Sequence, residues 1–562
     1  MPKTLEMRNP ARASLIGAAI AALITLPGLG YGTLWDNSET AYGEVAREIL
    51  LYHDWIVMHL NGAAWFIQPP LYFWTAALFA AISHVGAFAL RLPSALATIA
   101  MGAVTGYAVT RQAGLRTGIY ASVVLSTCLM QAIVGRLAIM DAMLDLSVAL
   151  AVFWWFRGMQ TGRQRYFLFG SIAVSLGFLT KGPVAPVLAL MIAVVFYVWN
   201  RRYEQTMLPS WRGWIGSVFA FVVLVSPWLL ALVSQTGAHA VAELIGHYTV
   251  GRYTGTIENQ AGPVWYYLPV LILGFFPWIA FFPSAVAYGI DRLRRHSDDA
   301  ATRDAQQMLR LVFTWIVVPF VFFSFAKTKL PNYVALEFPA LAVLVAFYFD
   351  HAVQKGRSRS ILISAAAVPV TIAMLAIAIV WFSHDNRLTA DLNVVGANLI
   401  AVGAAVFVGS LITFVVLARN PTMCAGPYVL GGAMTLAVLF LALLALPNAE
   451  RFKPVPPLAK VIDAQRLPGD AVAIQNMAGG NALVFYTQPG VYVLASPKAA
   501  NSGDGRDPRS IICAAPRTWV IAPKRRPRID PTYGRSRRVV ARSGKADLFL
   551  YSGPRCNSGV PR

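Results

Sequence analysis

The chain has 562 residues, 57% of them hydrophobic and only 13% charged, with a formal net charge of +21. A soluble globular domain carries about twice that charged fraction. No soluble core can bury the apolar segments that recur from residue 12 to residue 446, so the composition excludes a water-soluble protein and points to a polytopic membrane protein. The charge is uneven: residues 451–562 hold 19 Lys and Arg against 6 Asp and Glu, +13 of the total. No nucleic-acid-binding motif accompanies it, and a solvated basic surface or one facing anionic lipid head groups accounts for it.

Lys3, Arg8 and Arg12 lead into the first apolar stretch, which has no small-residue cleavage site and reads as a permanent helix. With it the chain has fourteen apolar segments in order, near 12–30, 70–84, 87–110, 116–134, 142–156, 166–180, 183–199, 213–233, 263–290, 309–326, 333–350, 360–382, 394–418 and 427–446. Lys and Arg in short loops set orientation. The basic loops are Arg111/Arg116, Arg157/Arg163/Arg165, Arg201/Arg202/Arg212, Arg292/Arg294/Arg295/Arg303 and Lys355/Arg357/Arg359, and they fall on one side only if 70–84 does not cross. That segment is short for a span and opens at Pro69-Pro70. The expectation is therefore 13 spanning helices, the N-terminus cytoplasmic, the tail external, and 70–84 lying in the outer interface.

A second surface helix is expected over 39–52 in the first external loop. There Tyr42, Val45, Ala46 and Ile49 share one face, and Glu44, Arg47 and Glu48 share the other. From about residue 450 the chain reads as a small α/β domain, so the division expected is 1–449 and 450–562. Residues 456–466 form a helix in this reading. Ala471–Ile474, Ala482–Tyr486, Val491–Leu494, Thr518–Ile521 and Asp547–Tyr551 form strands, with a polar loop at 498–510. Cys128 and Cys424 are packing residues. Cys513 and Cys556 share the polar tail, where an oxidising compartment would let them pair, although spacing alone fixes no bridge.

With this topology the external loops collect Asp36, Glu39, Arg47, Asp54, His59 and Gln68, then Arg136 and Asp141, then Lys181, then Glu243, His247, Arg252 and Tyr253, then Lys327, Lys329 and Tyr333. Ionisable groups at a membrane boundary are costly unless paired or used. Transfer from a lipid phosphate needs cations to hold the phosphate as it leaves, for which Arg252, Lys327 and Lys329 are candidates. It also needs a carboxylate to take the acceptor's proton, for which Asp36, Glu39 and Asp141 are candidates. Acids with a histidine, Glu39 and His59, could instead hold a divalent metal ion. Against each acid stands a structural role as a salt bridge or helix cap, Asp36 or Ser38 capping the helix near Glu39 for example.

These segments, in order, resemble the bacterial branch of the protein O-mannosyltransferase-like glycosyltransferases, and within it the aminoarabinose (lipid A) transferases. Trp35-Asp36 through Arg47-Glu48-Ile49 looks like that family's acidic motif and its Tyr-Ala-x-x-x-Arg-Glu-Met. Asp54 to Gly62 is similar to Asp-Trp-x-x-Pro-x-x-Asn-Gly. Pro69-Pro70, Arg91-Leu92-Pro93, Arg136 to Asp141, Thr180 to Val184, Val264 to Pro269 with Phe276-Pro277-Trp278, and Ser324 to Tyr333 complete the set. The resemblance implies a GT-C type fold with two interfacial helices, a polyprenyl (undecaprenyl) phosphate sugar donor, an inverting transfer, and Tyr333 in the donor pocket. Two positions depart from the pattern: Ser38-Glu39 stands for Asp-Glu, and Ile67-Gln68 for Glu-Lys, whose lysine meets the donor phosphate in the family. Gln68 offers a hydrogen bond without charge.

The function expected is a glycosyltransferase of a bacterial inner membrane. Its donor is a polyprenyl-phosphate-linked sugar and its acceptor a lipid, a lipid A-type glycan favoured, with protein Ser/Thr as an alternative. A lipid-linked-sugar flippase would show internal repeats and broken, charged helices at mid-membrane; no repeat is found. A non-catalytic accessory subunit is the third reading, raised by Gln68.

Overall fold

The computed structural model describes residues 9–35, 38–256, 260–295, 299–356, 359–382, 386–419, 425–494, 506–524 and 535–553. All fourteen apolar segments fall on helices. Among the described residues eight helices are long and apolar enough to cross a bilayer, from Ala87–Ala113 to Gly426–Phe452, and the chain is a multi-pass membrane protein. A ninth crossing comes from Val264–Gly274 with Trp278–Arg294, which the sequence presents as one segment but which bends by 105°. Reaching thirteen requires counting Pro10–Thr25, Val184–Asn200, Gln164–Lys181 and the broken Leu115–Thr127/Leu129–Val134 helix, none of which meets that test. The Leu71–Ile82 helix has 12 residues, a rise of about 18 Å against a hydrocarbon core of about 30 Å, and is too short to cross alone.

The chain divides into two compact units. The first comprises Met1–Leu29, Phe66–Tyr72 and Arg91–Ala445; the second comprises Gly30–Trp65, Phe73–Leu90 and Leu446–Arg562. In the first unit small residues bring helices to backbone contact. A Cβ on Gly17 would lie 2.4 Å from the Gly102 carbonyl oxygen, and one on Gly106 would lie 2.8 Å from that of Ala13. Ser122 Oγ donates to Gly102 O at 2.9 Å across the same junction. In lipid, where tails are as apolar as side chains, such close approach is what holds helices together. Elsewhere the unit is filled by aromatics, Trp278, Trp315, Phe275, Phe281 and Phe338 being fully buried. Their indole N–H groups are satisfied by Thr127 Oγ1 at 3.0 Å and by Leu336 O at 2.9 Å.

The second unit joins the first loop to the tail. Five strands, β1 (Ala471–Gln475), β2 (Val491–Leu494), β3 (Thr518–Pro523), β4 (Ser536–Ser543) and β5 (Ala546–Ser552), form a mixed sheet in the order β2-β1-β3-β5-β4. β1 lies parallel to β2 and β3, and β5 antiparallel to β3 and β4. The expected helix is present as Val455–Gln465, packed over the sheet with Leu458 and Ile462 against Trp519 and Leu548. Ala482–Tyr486, expected as a strand, belongs to the helix Gly480–Tyr486. A short buried apolar run carries no period that separates the two states, and Thr487 Oγ1 caps this one through Leu483 O. Of the expected loop at 498–510, residues 498–505 lie outside the described ones and Pro508–Ala514 starts a helix capped by Asp507. Cys513 is disulfide-bonded; Cys424 and Cys556 lie outside the described residues. Cys128 is free and buried.

The helix expected over 39–52 spans Ser38–Tyr52 and is buried on both faces. Val45, Ala46 and Ile49 are inside, and so are Glu39, Glu44 and Glu48, at 1%, 0% and 0% exposure. Its polar side faces the tail rather than solvent. Arg47 forks onto Glu44 with two contacts of 2.7 Å and reaches Val484 O at 3.4 Å. Leu34 N donates to Tyr486 Oη at 2.7 Å, Thr33 Oγ1 to Glu450 at 2.5 Å, and the Asn61 side chain bridges Gly490 and Val491.

Candidate functional site

A cavity of about 300 Å³ opens within the first unit where the ends of several helices meet. Asp141 and Leu144 enter from the start of the Asp141–Thr161 helix, and Lys181 from the last turn of Gln164–Lys181, which stops at Gly182 with φ of 74°. That left-handed residue ends the helix so that Lys181 turns onto Asp141, its Nζ donating to Oδ1 at 2.5 Å. The same ammonium stands 5.1 Å from the centre of the Tyr333 ring. Arg252 donates to Tyr333 Oη at 3.3 Å. Gln68, 8% exposed, lies beside them with Ile67 and Pro69. The ionisable lining is two cations and one carboxylate among mainly apolar walls, a net positive pocket suited to one phosphate and an apolar chain.

Arg252 is set by backbone pairing. It follows the π-helix Glu243–Val250, a widened turn often found at functional sites. The segment after it runs against residues 327–329: Thr328 N donates to Arg252 O at 3.1 Å, Lys327 N to Tyr253 O at 3.0 Å and Lys329 N to Gln260 O at 2.8 Å. Asn332 and Tyr333 then enter the cavity from Pro331–Glu337. The lysines of this strip do not line it. Lys327 is exposed. Lys329 is buried, with Nζ donating to Phe323 O at 2.8 Å and Ser324 O at 2.6 Å, and so neutralises the carbonyl end of the Ala300–Phe325 helix. Burial, then repulsion from Lys327, lowers its pKa. Arg136 likewise serves the structure. It donates to Ile24 O, Thr25 O and Pro27 O at 2.8, 3.0 and 2.8 Å, where the first helix ends, and burial with Arg91 nearby brings its pKa down to about 10.

Among the sequence candidates the cavity brings together Asp141, Arg252, Tyr333 and Gln68. Lys181, present in a motif but not singled out from sequence as a site residue, is the group that holds Asp141 in place; its signal is its place in the set of ionisable residues that the sequence gathers on one expected face. Asp145, one turn further along the helix, is fully buried with Oδ2 making no hydrogen bond. Asp36 lies outside the described residues.

A family model described as dolichyl-phosphate-mannose-protein mannosyltransferase matches residues 67–230. The undecaprenyl phosphate-alpha-4-amino-4-deoxy-L-arabinose arabinosyl transferase of Yersinia enterocolitica is 27% identical over 397 residues, covering 68% of this chain and 68% of that protein. The enzyme of the same description from Pectobacterium carotovorum is 30% identical over 348 residues, covering 60% and 59%. The chain thus aligns with about two thirds or less of the length of these relatives. The crystal structure of ArnT from Cupriavidus metallidurans bound to undecaprenyl phosphate superposes with a TM-score of 0.78 at 20% identity, covering 96% of this chain and 99% of that one. The chain has the GT-C fold. The resemblance read from the motifs is the one these comparisons return.

In this GT-C chain the second unit holds the other sequence candidates. Glu39 accepts from Trp35 N at 2.8 Å and so ties the chain entering the helix to its first turn. His59 stacks edge-on against Tyr52, ring centres 5.4 Å apart. Glu39 and His59 are expected as metal ligands, but among the described residues no group of three or more His, Cys, Asp or Glu could hold a metal ion. The acid pair sequence reasoning missed is Glu44 with Glu48. Glu48 accepts from Gly62 N at 3.1 Å, and burial, then Glu44 beside it, raises its pKa to about 8 against the pull of Gly62 N–H and Arg47.

Proposed function

We propose that this chain is a membrane glycosyltransferase that moves a sugar from undecaprenyl phosphate to a lipid A-type acceptor at the periplasmic face of a bacterial inner membrane. Its N-terminus is cytoplasmic and its tail periplasmic in this reading. The observation that carries the reading is the cavity where Arg252, Tyr333 and the Lys181–Asp141 pair converge among apolar walls. The activity of these relatives supplies the donor and sugar class.

In the proposed step the acceptor hydroxyl oxygen bonds to the anomeric carbon as that carbon's bond to the phosphate oxygen breaks. The phosphate stays on its polyprenyl chain. Arg252, with Tyr333, holds the phosphate and takes up the charge that grows on the leaving oxygen. Asp141, the carboxylate of the cavity, takes the acceptor's proton. Lys181 is a positioning residue, aiming Asp141 through their salt bridge. Gln68 hydrogen-bonds where the family resemblance implies a lysine, and Lys327 and Lys329 stand behind Arg252 as support of its loop.

The test mixes full-length protein in membranes with radiolabelled undecaprenyl-phosphate sugars and counts lipid, glycan and protein fractions beside an Asp141→Asn control. Label entering the lipid A fraction only with the unaltered protein is expected. Label entering protein would move the acceptor to Ser/Thr, and donor crossing vesicles without any transfer would replace the enzyme by a flippase.

A further inference from the structure

A second cavity, of about 530 Å³, lies at the opposite end of the same helices. On the Asp141–Thr161 helix, Asp141 lines the first cavity and Phe153, Trp154, Phe156 and Arg157 line the second. Sixteen residues separate Asp141 from Arg157, about 24 Å of helix. On Gln164–Lys181 the order reverses, with Arg165, Tyr166 and Phe169 at the second cavity and Lys181 at the first. Nothing in the transfer step uses this second space.

Its chemistry is amphipathic. One side is apolar and aromatic, with Val104, Leu150, Phe153 and Phe169 among its walls, and Phe169 and Tyr107 are 42% and 37% exposed, so the slot is open laterally. The polar end is formed by Arg111, Arg157 and Arg165, and among the described residues lining the cavity none is acidic. Arg165 approaches the Tyr166 hydroxyl at 3.4 Å, Arg157 faces the same hydroxyl, and Arg111 meets Tyr107 Oη at 3.3 Å. Gln112, which lines the cavity, exchanges amide hydrogen bonds of 2.8 and 3.2 Å with Gln160, and Gln160 donates to Gln307 at 3.0 Å. Arg157 gives Nη1 to Gln160 at 3.3 Å, while its buried Nε makes no hydrogen bond among the described residues. Three guanidinium groups without a carboxylate, one with a buried donor unspent, call for an anion. A lateral apolar slot beside them calls for that anion to carry an acyl chain.

We propose that this second cavity binds an anionic phospholipid of the bilayer, its phosphate on Arg111, Arg157 and Arg165 and an acyl chain along the aromatic wall. The lipid occupies the end of the bundle away from the transfer cavity and braces the helices that carry Asp141 and Lys181.

Native mass spectrometry of the full-length protein in detergent tests this, with phosphatidylglycerol and phosphatidylcholine as competing probes. The unaltered protein retains phosphatidylglycerol preferentially. Each Arg→Gln change is expected to weaken retention on the order of fivefold, and the triple variant Arg111→Gln/Arg157→Gln/Arg165→Gln about a hundredfold. Ala108→Trp, which fills the slot and keeps every charge, removes the lipid as well, and this variant decides if the triple variant does not fold. Equal retention of the two lipids, or a folded triple variant within about twofold of the unaltered protein, overturns the proposal. So does inorganic phosphate displacing the lipid while Ala108→Trp has no effect, since that marks a simple anion site.

Discussion

Breaking the Asp141–Lys181 pair on one side and on both sides separates its structural from its chemical role. The side chains are 5% and 15% exposed and 2.5 Å apart. At an effective dielectric of about 20 the attraction is roughly 6–7 kcal/mol, most of it offset by the cost of taking both charges out of water. Removing one partner strands the other, at about 3–5 kcal/mol, whereas replacing both is close to neutral. Asp141→Asn and Lys181→Met should each lower unfolding free energy by about that amount, and the double variant should return to within about 1 kcal/mol of the unaltered protein. The coupling in a double-mutant cycle of denaturant unfolding should then exceed about 2 kcal/mol. Transfer behaves differently. Asp141→Asn and the double variant should lose at least about a hundredfold in rate, since restored stability does not restore a proton acceptor. A coupling under about 0.5 kcal/mol would refute the buried-pair argument, and full transfer by Asp141→Asn would refute the assignment of the base.

Arg252→Gln and Tyr333→Phe should each raise the KM for a polyprenyl-phosphate sugar, Arg252→Gln by about 1.5–3 kcal/mol as expected for a lost charged hydrogen bond; an unchanged KM in the labelled-donor assay moves the phosphate elsewhere. Gln68→Lys adds a third cation to the cavity and should lower the donor KM without loss of expression, whereas failure to fold would show that its slot accepts only neutral packing. Glu48 carries a folded-state pKa of about 8 against 4.5 for a free glutamate, so the native state holds a proton the unfolded chain gives up between those values. Stability should therefore fall as pH rises from about 4.5 to 8, and Glu48→Gln should flatten that slope in melting curves taken across the window; a parallel slope in the variant assigns the proton to another group. Glu337 is fully buried and neither carboxylate oxygen makes a hydrogen bond among the described residues; Glu337→Met should leave the melting temperature unchanged or higher, because an unsatisfied buried polar group costs about 1–3 kcal/mol.

Much of the fold is legible because lipid imposes a simple rule on sequence: every crossing must be a long apolar helix. The rule says nothing about bends, so the two helices either side of the 105° break between Gly274 and Trp278 read as one segment. It is equally silent in the tail, where β4 escapes notice because Arg537, Arg538 and Arg542 interrupt its alternation. Those charges belong on an exposed edge strand. The burial of Glu44 and Glu48 is hidden for another reason: their helical face reads as solvent-facing until the tail, more than 400 residues later, is folded against it. At the site, the residue types are evident in the sequence and their roles only partly so. Lys329 and Arg136 read as cations of an external loop, yet both spend their charge on helix carbonyls, a use that depends on where neighbouring helices end. Asp141 and Arg252 are legible as chemistry because both fall between apolar segments, at a membrane boundary where an unused charge is costly.

The bond from Thr33 to Glu450 joins residues 417 apart. At a ribosomal rate of about 5–20 residues per second, the two are synthesised on the order of 20–80 s apart. Throughout that interval the helices of the first unit that follow Pro10–Thr25 are being inserted while the first loop waits for the segment that covers its buried glutamates. The loop is therefore an orphan for most of the protein's biogenesis, and a chain truncated before residue 446 should expose Glu44 and Glu48 to quality-control proteases however well its membrane helices assemble.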